Sequence, residues 1–519
     1  MGKSIRVSGL VDRSGGYHLL VEQRGNPAGL VIYSNNSVAL LTSAELQAAR
    51  VEQQYEQLCD GYALLGNLSH GAEHSLLVVT GILSVGRLGQ SEVYRVTQVR
   101  TVSLRGHSGD TERLAEVVRL LTGGAAHFSW SSQGPPVDLA SSAQRQAGGA
   151  GTGRSFLWSR LLALPFTRAG LGGWLVGLVV GSVNIRTLYV GATQLRAALI
   201  SRLSSGRAGT RYQTRGLDDQ GNVANFVETE QLLLTDSATS SFLQVRGSVP
   251  LFWEQPGLNV GSHKVKMSRG SELTQTAFDK HFEQLTDEYS DVIILNLLGV
   301  NLVGSKEGEA NLSTAYQQQQ RASKYSNMKH VLWDFHAEGG IKNLDKLWTQ
   351  IQQNVQRFGQ FSSVSGAEQR GVVRTNCMDC LDRSNVTQSF IAAKMLDTQL
   401  ASLGIEVKES TVSRLADMYQ QMWTSNGNTL SKMYAGTAAL SQGGSIILDG
   451  ARSAARTIQN NLLDGDKQEA FDLILQGAAR QTDFRDRARL ILPRQLYHGN
   501  IEHRISIIWI TTTVQDTLI

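Results

Sequence analysis

The stretch GVVRTNCMDCLDRSNVTQSF, residues 371–390, decides the fold of the chain and most of its chemistry. Its opening, Gly371-Val372-Val373, suits a buried strand end, and Val386, Phe390, Ala393, Leu396 and Leu400 then recur at helical spacing. Cys377 to Arg383 therefore form a loop between a strand and a helix N-terminus, with Ser384 or Asn385 available as the cap. The loop reads cysteine, five residues, arginine, serine. Backbone N–H groups of such a loop point inward and, with the helix dipole, cradle three phosphate oxygens. The phosphate-binding positions are then Asn376, Met378, Cys380, Leu381 and Ser384. Arg383 adds a planar bidentate fork that lysine cannot reproduce.

The same field favours a thiolate at Cys377, because a cysteine near a helix N-terminus or a cation falls from a pKa of ~8.5 to ~3.5–7.5. A fall of three units corresponds to about 4 kcal/mol of preference for the charged form. Such a thiolate attacks phosphorus in line, forms a cysteinyl-phosphate and is released by water. A general acid must protonate the leaving alkoxide. Asp382, directly before the arginine, is the preferred donor, and Asp379 is the alternative. Cys377-Met-Asp-Cys380 is also a C-x-x-C, open to a redox or half-zinc reading. Zinc needs four ligands, however, and Cys59 is the only other cysteine. A redox pair leaves Arg383 and Ser384 unexplained. No metal and no cofactor is expected.

Around this segment the chain is 519 residues long, with 49 basic and 45 acidic side chains and a formal charge of +4. Its 41% hydrophobic content supports a large packed interior and argues against disorder. The near-neutral balance excludes a general nucleic-acid coat and leaves room for a local basic patch facing an acidic substrate. Three cysteines are too few for a disulfide framework and fit a reducing compartment. The start, MGKSIRVSGLV, lacks an apolar run of secretory length, and Arg6 stands where a myristoylation signal needs Ser or Thr. The uncharged stretch between Arg168 and Arg186 is rich in glycine and reads as a buried strand or helix, since a spanning helix needs about 20 mostly apolar residues. The ending ISIIWITTTV is too short as well. A cytoplasmic protein, peripheral at membranes and without a transmembrane segment, is expected.

The first 140 residues read as β-rich, with strand-like YHLLVEQ, GLVIYS, SVALL, SLLVVTGIL and EVYRVTQV. Helical patterns interrupt them at about Ser43 to Leu64 and Thr111 to Leu121, and residues 141–155 read as an exposed loop. From about Asn184, strand-like IRTLYV, NFVETEQLLL, SFLQVRGSV, DVIILNLLG and HVLWDF alternate with helical patterns, which suggests an α/β catalytic unit. Final helices are expected at about Val407 to Gln421 and Lys467 to Leu490. NLLGVNLVG (296–304) looks like a short tandem duplication.

R-T-N-C-M-D-C-L-D-R-S-N resembles the signature of the Sac-domain phosphoinositide phosphatases, R-x-N-C-x-D-C-L-D-R-T-N. RLSSGRAGTRY (202–212), GNVANFVETEQ (221–231), FLQVRGSVPLFWEQPG (242–257), MWTSNGNTLSKMYAGTAAL (422–440) and DGARSAARTIQNN (449–461) are similar to that family too. The resemblance is collinear over roughly residues 10–490. It implies an α+β / α/β architecture: a β-rich N-terminal Sac subdomain, 1–183, packed on an α/β catalytic domain with a cysteine phosphatase loop, 184–493. An unmatched tail, 494–519, follows. It also implies metal-independent hydrolysis of phosphatidylinositol phosphates, the 4-phosphate favoured and 3-phosphate species next, with a role in membrane trafficking and endocytosis. Carried over, Cys377 is the nucleophile and Arg383 the phosphate binder. Ser384 replaces the usual Thr and keeps the hydroxyl, whereas NLLGVNLVG is an insertion relative to the family. Some members continue into an inositol 5-phosphatase domain and a Pro-rich tail, and neither is visible in these residues.

Other cations cluster in sequence. His263, Lys264, Lys266 and Arg269, together with Arg202, Arg207, Arg211 and Arg215, are read as a cationic surface for anionic headgroups; Lys264, Lys266, Arg269 and Arg207 are its core. Trp333-Asp334-Phe335-His336 either supports the site or closes a packed strand end. Arg246 reads as a structural ion-pair or hydrogen-bond residue, and Cys59 as a small buried side chain in a helical pattern.

Overall fold

The computed structural model describes residues 2, 4–11, 16–52, 55–106, 111–149, 154–211, 213–255, 265–300, 307–379, 381–406, 408–439 and 465–477. Strands β1 (Ile5–Val11), β2 (Tyr17–Gln23), β3 (Gly29–Tyr33) and β4 (Val38–Leu41), helix α1 (Ser43–Glu52) and strand β5 (Glu56–Gly61) open the chain. The five strands form an antiparallel sheet in the order β4-β3-β2-β1-β5. Alternate apolar residues, Val7, Leu19, Val21, Leu30 and Ile32, turn one face of it onto Leu64, Leu76, Val78 and Val102. The helix expected over Ser43 to Leu64 ends at Glu52, and Cys59 is buried on β5 opposite Val7. The strand wins because a sheet edge was waiting for it, an option that local periodicity does not reveal.

Next come β6 (Ala63–His70), β7 (Glu73–Leu88), β8 (Ser91–Ser103), α2 (Thr111–Thr122), β9 (Ala126–Trp130), α3 (Ala143–Ala147), α4 (Leu164–Arg168), β10 (Val179–Val190), β11 (Thr193–Leu203), β12 (Val227–Leu234) and β13 (Thr239–Arg246). The strands β6 to β13 run antiparallel, each paired with the next. The glycine-rich stretch after Arg168 enters β10, whose residues 179–183 are buried. Residues 141–155 are no free loop where described: Ser141 and Ser142 are buried and α3 docks on the sheet. There Arg145 pairs with Glu228 at 2.7 Å. Glu228, fully buried, also takes Arg202 (3.0 Å) and the Tyr289 hydroxyl (2.7 Å).

The remainder contains β14 (Trp253–Glu254), β15 (Lys266–Met267), α5 (Ser271–Tyr289), β16 (Asp291–Asn296), α6 (Glu307–Ala322), β17 (His330–Leu332), α7 (Leu344–Phe358), β18 (Phe361–Ser362), β19 (Gly371–Asn376), α8 (Asp382–Lys394), α9 (Leu396–Ser402) and α10 (Glu409–Ala435), with a further helix over 465–476. Strands β19, β16 and β17 add to β13 in parallel, extending the sheet to twelve strands, β18 included. Helices cover both faces there, so β16 and β19 are buried on successive residues. Val292, Ile294 and Val372 meet Phe278 and Phe282 of α5 and Leu312 and Tyr316 of α6. Ile293, Leu295 and Val373 meet Leu347, Ile351 and Val355 of α7 and Ile391 of α8.

Alternation of strands and helices thus marks the parallel segment, while β10 to β13 form a meander. Helix α10 runs past the expected end at Gln421, through Asn426-Gly427-Asn428. Asn385 of α8 bonds to the Trp423 carbonyl (2.9 Å) and to Asn426 (3.0 Å). A Cβ at Gly427 would lie 2.9 Å from Asn385 Nδ2, so the two helices approach where a glycine permits it. Residues 478–490 of the last expected helix lie outside the described residues.

Candidate active site

Strand β19 delivers the cysteine loop to the carboxyl ends of the parallel strands, where open α/β sheets gather their ligands. Asn376, the last residue of β19, donates from Nδ2 to Asn296 Oδ1 at the end of β16 (2.8 Å), and Asn296 donates on to Ser313 of α6 (3.1 Å). All three are buried, so the loop departs from a rigid polar joint. Cys377 follows, 2% exposed and packed within the β16–β19–α7 core. The Ser384 hydroxyl donates to Cys377 Sγ at 3.5 Å.

Helix α8 starts at Asp382 after Leu381, which offers no side-chain cap. Ser384 and Asn385, expected as caps, lie inside the first turn instead. Ser384 is committed to the sulfur and Asn385 to α10. The earlier start places Arg383 in the first helical turn. Its Nη1 donates to the Leu297 carbonyl (3.0 Å), and its Nη2 lies 2.6 Å from Glu309 Oε1 of α6. Burial opposes the charge on Arg383. The negative charges of Cys377, Glu309 and Asp379 outweigh it and hold the guanidinium above its usual range.

Asp379 pairs with two other arginines. Its carboxylate lies 2.7 Å from Arg211 and 2.9 Å from Arg215. Burial pushes the carboxyl up, but Arg211, Arg215 and, more weakly, Arg383 hold it well below the usual carboxylate range. Arg215 also donates to the Met378 carbonyl (3.0 Å) and to Gln255 (2.7 Å), and lies over the Trp253 and Tyr434 rings. Asn225, itself at positive φ, donates to the Asp379 carbonyl (3.2 Å). Leu381 is buried with Tyr434 and Ala435, and Asp382 is half-buried at the first turn of α8. Cys380 lies outside the described residues. Cys59 sits in the core of the five-stranded sheet and is no third ligand for a C-x-x-C metal site.

The cationic surface needs correction. Arg202 (1% exposed) is sealed between Glu228 and Glu230, and Arg211 and Arg215 stand behind the loop as partners of Asp379. Arg207, at positive φ, folds its guanidinium onto the carbonyls of Arg215 (3.1 Å) and Gly216 (3.0 Å). Lys266 is exposed and 3.4 Å from Glu254, while Arg269 pairs with Asp219 and lies over the Phe252 ring at 4.0 Å. His263 and Lys264 lie outside the described residues. Sequence reasoning counted these cations without the acids that face them, because Asp219, Glu228 and Asp379 are distant in sequence. It passed over Glu309, whose only local signal is its place in an acidic first turn.

Trp333 and Phe335 are buried, and Asp334 accepts the backbone N–H groups of Val300, His336 and Ala337. Burial raises that carboxyl, and the three N–H groups bring it below its usual value. This segment therefore fixes the 297–300 turn beside Arg383. Residues 301–304 of the NLLGVNLVG stretch lie outside the described residues. Arg246 is fully buried at the end of β13, opposite Thr375 of β19.

A family model described as the SacI homology domain matches residues 62–339, more than half of the chain. Synaptojanin-1 of Rattus norvegicus is 45% identical over 491 residues, covering 92% of this chain and 30% of that protein. Synaptojanin of Caenorhabditis elegans is 42% identical over 493 residues, covering 92% and 43%. A protein of Arabidopsis thaliana named phosphoinositide phosphatase SAC7 is 32% identical over 456 residues, covering 80% and 74%. The chain belongs to the SacI homology domain family. Within it, the chain is similar to the Sac region of the synaptojanins and spans about a third of the length of synaptojanin-1. No helix among the described residues is long and apolar enough to cross a membrane.

Proposed function

We propose that the chain hydrolyses phosphate monoesters of phosphatidylinositol phosphates through a cysteinyl-phosphate at Cys377, with the 4-phosphate favoured and 3-phosphate species accepted. The observation that carries the reading is the grouping of Cys377, Ser384 and Arg383 at the junction of β19 and α8. The name of the SAC7 relative, a phosphoinositide phosphatase, supports the substrate class. The Cys377 thiolate attacks phosphorus, the S–P bond forms and the P–O bond to the inositol ring breaks. Asp382 supplies the proton to the departing ring oxygen. Asp379, held ionised by two arginines, has no proton to give at neutral pH. Water then cleaves the S–P bond and frees inorganic phosphate. Ser384 steadies the thiolate in both steps, and Arg383 holds the phosphoryl oxygens. The division into 1–183 and 184–493, and peripheral membrane contact through Lys264, Lys266 and Arg269, belong to the same proposal.

Protein incubated with phosphatidylinositol 4-phosphate vesicles and a chelator should release phosphate, and Cys377→Ser should abolish the release. Lipid binding without turnover by the wild-type protein would establish a non-catalytic scaffold instead. Faster turnover of phosphotyrosine peptides than of lipid would move the substrate class.

A further inference from the structure

We propose that Glu309 is the positioning residue of the phosphate site: it aims the Arg383 guanidinium across Cys377 and offsets part of the positive charge presented there. The inference rests on the cysteine-phosphatase reading given above. Two anchors hold the guanidinium, the Leu297 carbonyl at 3.0 Å and the Glu309 carboxylate at 2.6 Å. The first is fixed in turn, since Leu297 N donates to the Asn376 carbonyl (2.9 Å) and Leu298 N to Asn296 Oδ1 (3.2 Å). Arginine carries five N–H donors and the Leu297 carbonyl takes one, so most of the fork remains for a phosphate.

Two other carboxylates near the loop are committed elsewhere. Asp334 is occupied by three backbone N–H groups and Asp379 by Arg211 and Arg215. Glu309 and Asp334 flank Gly299, where a Cβ would lie 3.6 Å from an oxygen of each. The Arg383 and Glu309 side chains are 18% and 12% exposed, so solvent screens their pair only weakly. A carboxylate in that position does two separable things. It supplies an oxygen that sets the direction of the fork, and it supplies a negative charge that opposes both a thiolate and an incoming phosphate.

Glutamine keeps the oxygen and loses the charge, whereas alanine loses both. The readout is the pH dependence of Cys377 alkylation by iodoacetamide, followed by mass spectrometry at that residue. It is accompanied by kcat and KM on a soluble short-chain phosphatidylinositol 4-phosphate. The charged groups around the Arg383 guanidinium are Cys377, Glu309 and Asp379, with Arg211 and Arg215 on Asp379. In Glu309→Gln the alkylation midpoint should move to lower pH and inorganic phosphate should inhibit more tightly. In Glu309→Ala the midpoint should move to higher pH, and kcat/KM should fall by roughly 10–100-fold as the fork swings away.

Midpoints that move in the same direction, or stay put in both variants, overturn the role of Glu309. Should the alanine variant fail to fold, an unmoved midpoint in the glutamine variant overturns it alone. A wild-type Cys377 that alkylates like an ordinary thiol overturns the phosphatase reading and this inference with it. A sensitised wild-type thiol with unmoved variants overturns only the inference.

Discussion

The Asp379 carboxylate lies 2.9 Å from the guanidinium of Arg215, a side chain that is 2% exposed. The pair ties the cysteine loop to the segment between β11 and β12. That segment is itself held by the 465–476 helix, where Gln468 accepts from Thr210 N (2.9 Å) and Thr214 (3.2 Å).

Asp379→Asn should leave two largely buried arginines without their carboxylate. Removing one partner of a buried pair costs about 3–5 kcal/mol, and with Asp379 27% exposed and Arg215 keeping other acceptors the expected loss is roughly 2–3 kcal/mol. Because the folded carboxyl titrates below its unfolded value of about 3.9, its contribution is present above that pH and is lost as pH falls through the folded value. Urea unfolding at pH 7 should show the loss, and the gap from wild type should narrow only on strong acidification. A variant as stable as wild type at pH 7 would show that the tie contributes nothing.

Asp382→Asn should behave differently, with an unchanged unfolding midpoint and lipid hydrolysis slowed by ~10²–10⁴-fold. An aryl phosphate, whose leaving group needs no proton, should be hydrolysed at close to the wild-type rate. If Asp379→Asn shows this split between substrates and Asp382→Asn does not, the proton donor has been misassigned.

The loop, its strand and its helix were legible because their residues are contiguous: a buried strand, a cysteine-to-arginine spacing and a 3.6-residue repeat sit within twenty positions. The partners of that loop were not. Arg211 and Arg215 read as surface cations because nothing near them in sequence announces Asp379, and Glu309, in α6, is separated from Arg383, in α8, by β17, α7, β18 and β19. Cys59 was placed on a helix because apolar spacing alone cannot separate a short edge strand from a helix end. Alternation of strand-like and helical pieces after Asn184 was visible, but not which strands pair: β19 runs parallel to β13 and β16, whereas β10 to β13 before it form an antiparallel meander.

Stability should also fall on mild acidification. Burial holds His127 and His330 down to about 4 and His281 well below its usual value, with Arg374 adding to the effect at His281. The unfolded chain takes up these protons near pH 6.5 and the folded chain refuses them, so stability is full above 6.5 and declines below it. For His127, 2% exposed, the decline amounts to roughly 2 kcal/mol at pH 5. Urea midpoints at pH 7 and pH 5 should therefore differ, and His127→Gln should reduce the difference. An equal difference in the variant would mean that His127 is not among the groups responsible.

Membrane attraction should be governed by pairs rather than by single cations. Each basic residue near an anionic surface contributes about 1 kcal/mol, and the field decays over a Debye length of about 8–10 Å. Replacing Lys264, Lys266 and Arg269 together with Ala should weaken vesicle binding by up to about 3 kcal/mol and flatten its salt dependence. Lys266 and Arg269 each face an exposed acid, Glu254 and Asp219, which draws off part of their field. Glu254→Gln with Asp219→Asn should therefore tighten binding to anionic vesicles and steepen its salt dependence, while hydrolysis of a soluble short-chain lipid stays the same. Sedimentation with anionic vesicles at low and high salt distinguishes the cases. Unchanged binding in both sets of variants would make this segment an ordinary solvated face. Parallel losses on vesicles and on soluble lipid in the alanine set would place the three cations in the pocket or the fold.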